Sequence, residues 1–476
     1  MGATVAITRG REAEARADVD VSAGVVGQAP AVELETRATA GAYGALSRRN
    51  LLIAGLAALG ALIFFSGLRW LWGMPVYDTS WYPYYYFTDQ ARALLHLHWD
   101  IGYPGTNIDL VQLNGKWYSI YGLFPSVLMI PFVIGLRHHL SESFIFTALS
   151  AVNVGLLYLL FEQVRECGFS RKTWRENLVW AFLLYLGSTA LILSLGGGVW
   201  YEGHLAACAC LLVCLILAFR RHYVWAAVAL TCGFHSRSTL LFAFPLLFFL
   251  AWEDGLRENL VVPFVRSLRA RRPDWTLVPW RRLAGVAAVF AGCIALYLIR
   301  NWGMFGNPLE SGYGIQLAQH YSFVKDGVFS VRYIPANIVN DFFNFPHITF
   351  PTHYSDNPSI DIENGATGIS VFLVTPLFLF LFVRNQQRSR LRVALWLTIL
   401  LSMSFVLMFY TAGYPQFGSR YLFDLFPFAW VILATNDIRV DWRVIALGVF
   451  AILLNIWGTY AHLFHIVYFS LPWPKG

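Results

Sequence analysis

Apolar runs of about 20 residues recur from Leu51 nearly to the C-terminus of this chain, which has 476 residues. A helix of that length is needed to cross the hydrocarbon core of a bilayer, which is about 30 Å thick. Charged residues make up 13% of the chain, whereas soluble domains contain about 25%. The sequence therefore predicts an all-α polytopic membrane protein, and the runs leave no room for a soluble domain between them.

The N-terminal segment differs from the rest of the chain. It mixes Ala, Gly, Val and Thr with Arg, Glu and Asp, and it contains no aromatic residue before Tyr43. Because such a segment cannot bury enough apolar surface to fold, we expect residues 1–47 to be a disordered cytoplasmic tail. The first apolar run begins only after Arg48 and Arg49, later than in a secretory signal. Residues 48–476 are expected to form one integral membrane domain.

Twelve apolar segments can be distinguished along the chain. They lie near residues 50–73, 118–136, 144–161, 178–196, 204–219, 223–236, 239–251, 283–299, 367–383, 391–410, 421–435 and 444–463. Arginine clusters separate them, and such clusters usually remain cytoplasmic. They include the loop from Arg257 to Arg282, with seven arginines.

All the arginine clusters fall on one side of the membrane only if one segment does not cross it. Residues 117–135 are the best candidate, because Pro125 and Pro131 interrupt them. We therefore predict about eleven transmembrane helices, with the N-terminus in the cytoplasm. The long outer loops would then be residues 74–143, with juxtamembrane helices, and residues 300–366. Long ordered loops tend to be functional, so the working face is expected outside the cytoplasm.

Acids and aromatic rings follow the first apolar run, in the stretch "YDTSWYPYYYFTDQ". Asp78 lies where a carboxylate can reach both water and a lipid head group, and Asp109, in "NIDLVQLNGKWYS", is a second candidate for catalysis. The alternative for an isolated acid is a solvated group in an aromatic interface belt, which we favour for Asp89. Aromatic rings beside an acid also suit a sugar, so Tyr82 and Tyr118 are candidate substrate-binding residues.

Three arginines depart from the charge rule because they lie at the outer mouths of apolar segments. They are Arg237 in "GFHSRSTLL", Arg300 in "YLIRNWGMFGNP" and Arg420 in "YPQFGSRYLFDLFP". A guanidinium is costly to leave unpaired there, and its planar fork suits a phosphate. We favour anion binding for Arg237 and Arg420 but not for Arg300. The alternative is snorkelling, or a salt bridge from Arg420 to Asp424 one turn along.

Glu202 and His204 begin a helix on the same predicted outer face, in "GGGVWYEGHLAA". The helix dipole favours an acid near a helix N-terminus, so a capping role explains Glu202 well. The alternative is a second polar cluster in the active site, in which both residues contact the substrate.

Six stretches, in this order along the chain, resemble the GT-C superfamily of membrane glycosyltransferases, which includes bacterial relatives of protein O-mannosyltransferases. They are "NGKWYSIYGLFPSVLMIPF", "GGGVWYEGHLAA", "GFHSRSTLLFAFPLLF", "RNWGMFGNPLESGY", "ATGISVFLVTPLFLFLF" and "QFGSRYLFDLFPF". The resemblance implies an acid in the first outer loop. Asp78 matches by its position after the first helix, and Asp109 matches by preceding a "GKWY" stretch. The adjacent acidic pair common in the family is absent, and Met304 stands where relatives often carry arginine.

The resemblance implies a membrane glycosyltransferase that moves a sugar from a polyprenyl phosphate to an acceptor hydroxyl at the extracytoplasmic face. Expected partners are that donor, a glycan, lipid or protein acceptor, and the bilayer of the plasma (inner) membrane, with no nucleic acid. No organic cofactor is indicated, and a divalent metal is compatible with such a site. The alternatives are a lipid or glycan transporter or flippase, and a non-catalytic membrane subunit. A transporter usually shows internal repeats and mid-membrane ionisable groups, neither of which is evident.

Overall fold

A computed structural model describes residues 46–74, 84–136, 141–322, 324–345, 347–349, 359–361, 369–383, 390–411 and 417–464. Asp78 and Tyr82 lie outside these residues, and so do residues 1–45 of the predicted tail. The first helix begins at Arg48, where the Ser47 hydroxyl caps it by accepting a hydrogen bond from the Asn50 backbone N–H.

Helices make up most of the described chain. They follow one another as α1 (Arg48–Leu71), α2 (Tyr86–Leu95), α3 (Leu123–Leu136), α4 (Glu142–Glu166), α5 (Trp174–Leu186), α6 (Ala190–Gly196), α7 (Val199–Phe219), α8 (Tyr223–Phe234), α9 (Phe244–Trp252), α10 (Val261–Arg269), α11 (Trp280–Phe305), α12 (Tyr313–His320), α13 (Ile334–Ile338), α14 (Val371–Val374), α15 (Arg390–Leu407), α16 (Phe426–Thr435) and α17 (Trp442–Leu463). Six of them are long and apolar enough to cross a membrane, namely α1, α4, α7, α11, α15 and α17. The prediction of a mostly helical, membrane-embedded protein is confirmed.

The other apolar segments are shorter than the sequence led us to expect. Helices α5 and α6 are bent by 61° at the break between them and count as one further span only if taken together. Prolines explain several of the short segments, since Pro245, Pro376 and Pro427 each lie in the first turn of a short helix. Proline is favoured in the first turn of a helix, but it has no backbone N–H, so the helix is not extended further toward the N-terminus. The described residues thus contain six or seven full spans, and eleven crossings remain a prediction.

The first outer loop contains two helices and a hairpin. Strands β1 (Leu110–Leu113) and β2 (Lys116–Ser119) pair antiparallel between α2 and α3, and α2 packs on α3. The segment predicted not to cross is therefore divided between β2 and α3. Helix α3 has 14 residues, a length of about 21 Å, which is less than a hydrocarbon core of about 30 Å.

The second long loop also contains strands. Strands β3 (His347–Thr349) and β4 (Ser359–Asp361) form another antiparallel pair, and the loop carries α12, α13 and a π-helical turn over Val339–Phe343. The described residues are mostly helical, as expected of an all-α membrane protein, and each long loop adds one short antiparallel pair of strands.

Helix α7 lies at the centre of the helical domain. It is mostly buried and packs against α4 and α8, while α1 packs on the other side of α4. Helix α11 instead leaves most of its apolar surface exposed, including Leu296, Ile299 and Trp302. A continuous exposed apolar face of this kind suits lipid rather than water. Because α7 is packed into the core, the polar residues in its first turn have fixed positions.

Candidate active site

Asp109 lies where the two long loops meet the first turn of α7. Its Oδ1 atom accepts hydrogen bonds from Gln316 Nε2 at 2.7 Å and from the Tyr321 hydroxyl at 2.8 Å. Its Oδ2 atom accepts from Trp200 Nε1 at 2.7 Å and from the Tyr121 hydroxyl at 3.0 Å. A carboxylate offers about four lone-pair directions. These donors fill all of them, so Asp109 is oriented rigidly and has no free lone pair for another donor.

The local backbone directs Asp109 toward these donors. Asp109 has a φ of 56°, a left-handed conformation that Asp tolerates better than most residues. It comes directly before β1, and the turn between the strands is Asn114–Gly115, where both residues have positive φ, as a type I′ hairpin turn requires. The Tyr86 hydroxyl on α2 donates to the Ile108 carbonyl at 2.7 Å. The hairpin and α2 together fix the position of Asp109.

Arg420 is a buried cation, with 7% of its surface exposed. Its guanidinium lies over the rings of Tyr201 and Tyr421, at 5.8 Å and 5.2 Å from their centroids. Within the described residues no carboxylate pairs with it, and its Nε atom has no hydrogen-bond partner. Cation–π contacts contribute about 0.5–2 kcal/mol, whereas burying an ion costs several kcal/mol. The environment of Arg420 is therefore suited to an anion.

Arg237 pairs with Asp424, the residue that the sequence suggested as a partner for Arg420. Asp424 accepts hydrogen bonds from Arg237 Nε at 3.2 Å, His204 Nδ1 at 2.7 Å and the Thr239 hydroxyl at 2.5 Å. The alternative in which Asp424 pairs with Arg420 is therefore not what the structure shows. Because Asp424 offsets part of the charge of Arg237, Arg420 is the stronger candidate of the two for binding an anion.

Tyrosines connect Asp109 to both arginines. Tyr121 donates to Asp109 and also lies close enough to Arg420 to respond to its charge. Tyr313 responds to the charges of both Arg237 and Asp109. Burial raises the pKa of Tyr313 to about 12 and raises the pKa of Tyr121 well above its usual value. These hydroxyls therefore remain protonated donors, and one tyrosine-lined region borders a carboxylate on one side and two guanidiniums on the other.

Arg300 and Gly122 hold the first outer loop against the turn that carries Arg237. Arg300 Nη2 donates to the Tyr121 carbonyl at 2.6 Å, which agrees with the view that Arg300 does not serve an anion. The Phe124 backbone N–H donates to the His235 carbonyl at 3.0 Å. A Cβ atom on Gly122 would lie only 2.3 Å from that carbonyl oxygen. Only glycine permits so close an approach.

Gly122→Ala should separate this loop from the arginine turn. Overpacking against a fixed backbone typically costs about 1–3 kcal/mol, so we expect a lower melting temperature in detergent. Gly102→Ala is the matched control, because no atom lies within 4 Å of a Cβ added at that position. Equal melting temperatures for the two variants would show that the loop does not depend on this contact.

The structure separates the remaining predicted site residues. His204 joins the Asp424 group, and its Nε2 atom is buried without a partner among the described residues. Glu202 instead bonds the Gly198 backbone N–H and the carboxyl of Glu142. Tyr118 packs its ring against Phe305 at a centroid distance of 5.8 Å and is not among the four donors to Asp109. Asp78 and Tyr82 remain predictions, since they lie outside the described residues.

The sequence analysis did not note that the segment around Arg237 resembles the segment around Arg420. "SRSTLLFAFP" at 236–245 and "SRYLFDLFP" at 419–427 each place an arginine before a 3-10 turn that leads into a helix starting with Phe-Pro. The shared "SR" and "FP" were the available signal. The same short pattern thus brings Arg237 and Arg420 to neighbouring positions from distant parts of the chain.

Asp341 is an acid that the sequence analysis did not select. It lies on the π-helical turn, is 1% exposed, and accepts a hydrogen bond from the Ser419 hydroxyl at 2.7 Å. Burial raises the pKa of Asp341 from 3.8 to about 7. Ser419 comes directly before Arg420, so Asp341 connects the second long loop to the segment that carries this arginine.

The raised pKa of Asp341 should make the stability of the protein depend on pH. An acid whose folded pKa exceeds its unfolded pKa stabilises the protein below the unfolded value, and this contribution is lost as the pH rises through the folded value. The wild type should therefore lose up to about 4 kcal/mol between about pH 4 and about pH 8 through this group. Asp341→Asn keeps an acceptor for Ser419 but does not ionise, so its melting temperature should fall less from pH 5 to pH 8. Asp100→Asn, at an exposed acid paired with Lys116, should follow the wild type; the same behaviour for Asp341→Asn would contradict the assignment.

Among the described residues, no group of three or more His, Cys, Asp or Glu side chains is arranged to hold a metal ion. Comparisons of the chain with protein-family models, curated proteins and solved structures found no match. The functional assignment therefore depends on the chemistry of Asp109, the tyrosines and the two arginines.

Proposed function

We propose that this protein is a membrane glycosyltransferase that moves a sugar from a polyprenyl-phosphate donor to an acceptor hydroxyl at the extracytoplasmic face of the plasma (inner) membrane. The observation that carries the proposal is the pairing of a buried guanidinium, Arg420, which has no carboxylate partner among the described residues, with an oriented carboxylate, Asp109, across shared tyrosines. The guanidinium suits a phosphate, and the carboxylate fixes tyrosine hydroxyls whose oxygen atoms can accept hydrogen bonds from a sugar.

In the proposed reaction, the acceptor oxygen attacks the anomeric carbon of the sugar. The bond from that carbon to the phosphate oxygen breaks, and the polyprenyl phosphate leaves with the bonding electrons. Arg420, assisted by Arg237, stabilises the charge that develops on the phosphate, because aimed donors in a low-dielectric site act mainly on the transition state. Asp78 accepts the acceptor's proton. Asp109 orients the tyrosine and tryptophan rings around the sugar rather than binding the sugar itself, since its lone pairs are already occupied.

A lipid or glycan flippase is the second candidate, because a buried arginine between aromatic rings also suits a phosphate head group that is only transported. A flippase moves the lipid without breaking it. A non-catalytic subunit would do neither. The distinguishing observation is therefore the fate of the bond between sugar and phosphate.

The test is reconstitution in vesicles that contain a polyprenyl-phosphate-linked sugar in the membrane and a soluble sugar alcohol as acceptor. We expect loss of the intact donor and appearance of free polyprenyl phosphate by mass spectrometry. Movement of intact donor between leaflets, without cleavage, would favour the flippase. If neither cleavage nor movement of the donor occurs with any donor sugar supplied, the result would favour a subunit role.

The proposed orientation has its own test. Arg171 is exposed in the loop between α4 and α5, and Asn107 is exposed in the first long loop. In intact cells, Asn107→Cys should react with a membrane-impermeant thiol reagent, and Arg171→Cys should react only after the membrane is opened. The wild type provides the background from its own cysteines. Labelling of Arg171→Cys from outside would overturn the orientation, and with it the outer location of Asp109.

A further inference from the structure

A pair of carboxyls is buried beside the candidate active site. Glu142 begins α4 and Glu202 lies in the first turn of α7, and neither exposes more than 1% of its surface. Glu142 Oε2 accepts hydrogen bonds from the Thr88 backbone N–H at 2.6 Å and from the Thr88 hydroxyl. Glu202 Oε1 accepts from the Gly198 backbone N–H at 3.0 Å. The two carboxyls also lie within hydrogen-bonding reach of each other.

That last contact requires a proton. Glu142 Oε1 and Glu202 Oε2 are buried and have no other hydrogen-bond partner within the described residues. Two ionised carboxylates have no hydrogen to place between them, and they repel strongly where the dielectric constant is low. The contact between the two side chains therefore exists only while the pair retains at least one proton.

The pair joins the two elements that position Asp109. Thr88 belongs to α2, whose Tyr86 hydroxyl holds the Ile108 carbonyl next to Asp109. Glu202 belongs to the first turn of α7, whose Trp200 donates directly to Asp109. The ring of Tyr84, just before α2, packs against Trp200 at a centroid distance of 4.9 Å. If the distance between α2 and α7 changed at the carboxyl pair, the positions of both Ile108 and Trp200 would change, and with them the orientation of Asp109.

We propose that Glu142 and Glu202 are positioning residues whose shared proton fastens α2 to α7 and so sets the orientation of Asp109. The effect on transfer rests on the proposed function, whereas the shared proton does not. The charged groups that act on the pair are Arg69 from α1 and Asp89 from α2. Loss of the proton at high pH would leave two facing carboxylates, which would separate the helices.

Glu202→Gln is the decisive variant, because its amide donates to the Glu142 carboxylate without any shared proton. The wild type should lose stability and transfer as the pH rises above neutrality, because deprotonation leaves two buried carboxylates that repel each other. In Glu202→Gln, transfer should change little over this range, and the melting temperature should fall by about 2 °C less than in the wild type. The infrared carbonyl band of a protonated carboxylic acid at pH 8 should be weaker in the variant. Glu176→Gln, at an acid that accepts hydrogen bonds from Thr173 at the exposed start of α5, should show the same pH dependence as the wild type in every measurement.

If Glu202→Gln does not fold, Glu142→Gln provides the same amide-to-carboxylate contact in the opposite direction. Identical infrared bands and identical alkaline melting losses in the wild type and the Gln variant would overturn the shared proton. A changed melting profile with an unchanged alkaline loss of transfer would overturn the positioning role and leave the proposed function standing. Absence of transfer in the wild type at every pH would count against the proposed function alone, because the melting and infrared measurements need no substrate.

Discussion

Arg420→Lys is expected to lower the rate of sugar transfer by about 10² or more, since removing one aimed donor from such a site costs about 10²–10³ in rate. Lysine keeps the positive charge but loses the planar fork that binds two phosphate oxygens at once. It also loses the stacking of the guanidinium between Tyr201 and Tyr421. The measurement is the turnover of the polyprenyl-phosphate-linked donor by purified protein in vesicles, with donor affinity measured alongside.

Two further variants make the Arg420 result specific. Arg237→Lys should also lower turnover but by less, because Asp424 already offsets part of the charge of Arg237. Arg281→Lys, at an exposed position in the loop with seven arginines, should leave turnover unchanged. Wild-type turnover in both Arg420→Lys and Arg237→Lys would show that these arginines only pair within the protein or reach toward lipid head groups.

The second large effect is expected at the two acids of the first outer loop. Asp78→Asn keeps the size of the side chain but removes the basic lone pair, so turnover should fall by about 10² or more while donor binding survives. Asp109→Asn should act differently. Its amide N–H₂ would face two of the four donors to Asp109, and leaving buried donors unsatisfied costs about 1–3 kcal/mol. Turnover and melting temperature should therefore fall together.

Asp89→Asn is the control for both acids, because Asp89 pairs with Arg92 within α2 and is not hydrogen-bonded to Asp109, so the substitution should change turnover much less. A loss of turnover in Asp109→Asn without any loss of stability would make Asp109 the base in place of Asp78. If neither Asp78→Asn nor Asp109→Asn lowers transfer, the carboxylate mechanism fails and the flippase or subunit alternative takes precedence.

The long helices could be predicted from the sequence, because an apolar run of about 20 residues has few other stable solutions in a bilayer. The hairpin of the first long loop could also have been predicted. It carries Asn-Gly at residues 114–115 between two short strands, which is the strongest short-range hairpin signal. The sequence analysis did not predict this hairpin because it treated residues 117–135 as one membrane-associated segment.

The partners of the site residues could not be predicted in the same way. Asp424 lies one turn from Arg420, and helical spacing suggested a pair, yet Asp424 binds His204 and Arg237 instead. Helical spacing applies only if both residues lie in one α-helix, whereas Arg420 precedes a 3-10 turn. The contacts of Asp109 depend on how distant segments pack, which no local pattern encodes.

The donors around Asp109 also have a consequence for how the protein matures during synthesis. Gln316, which binds its Oδ1 atom, follows it by 207 residues along the chain, and Trp200 follows it by 91. The ribosome must therefore complete α12, and the intervening helices must insert, before the carboxylate can meet all its donors. The first long loop emerges early, and until α7 and α12 have been made Asp109 has only Tyr121 among its four donors. Any nascent chain halted before Tyr321 would thus lack at least one of these donors, so the site is completed late in biogenesis.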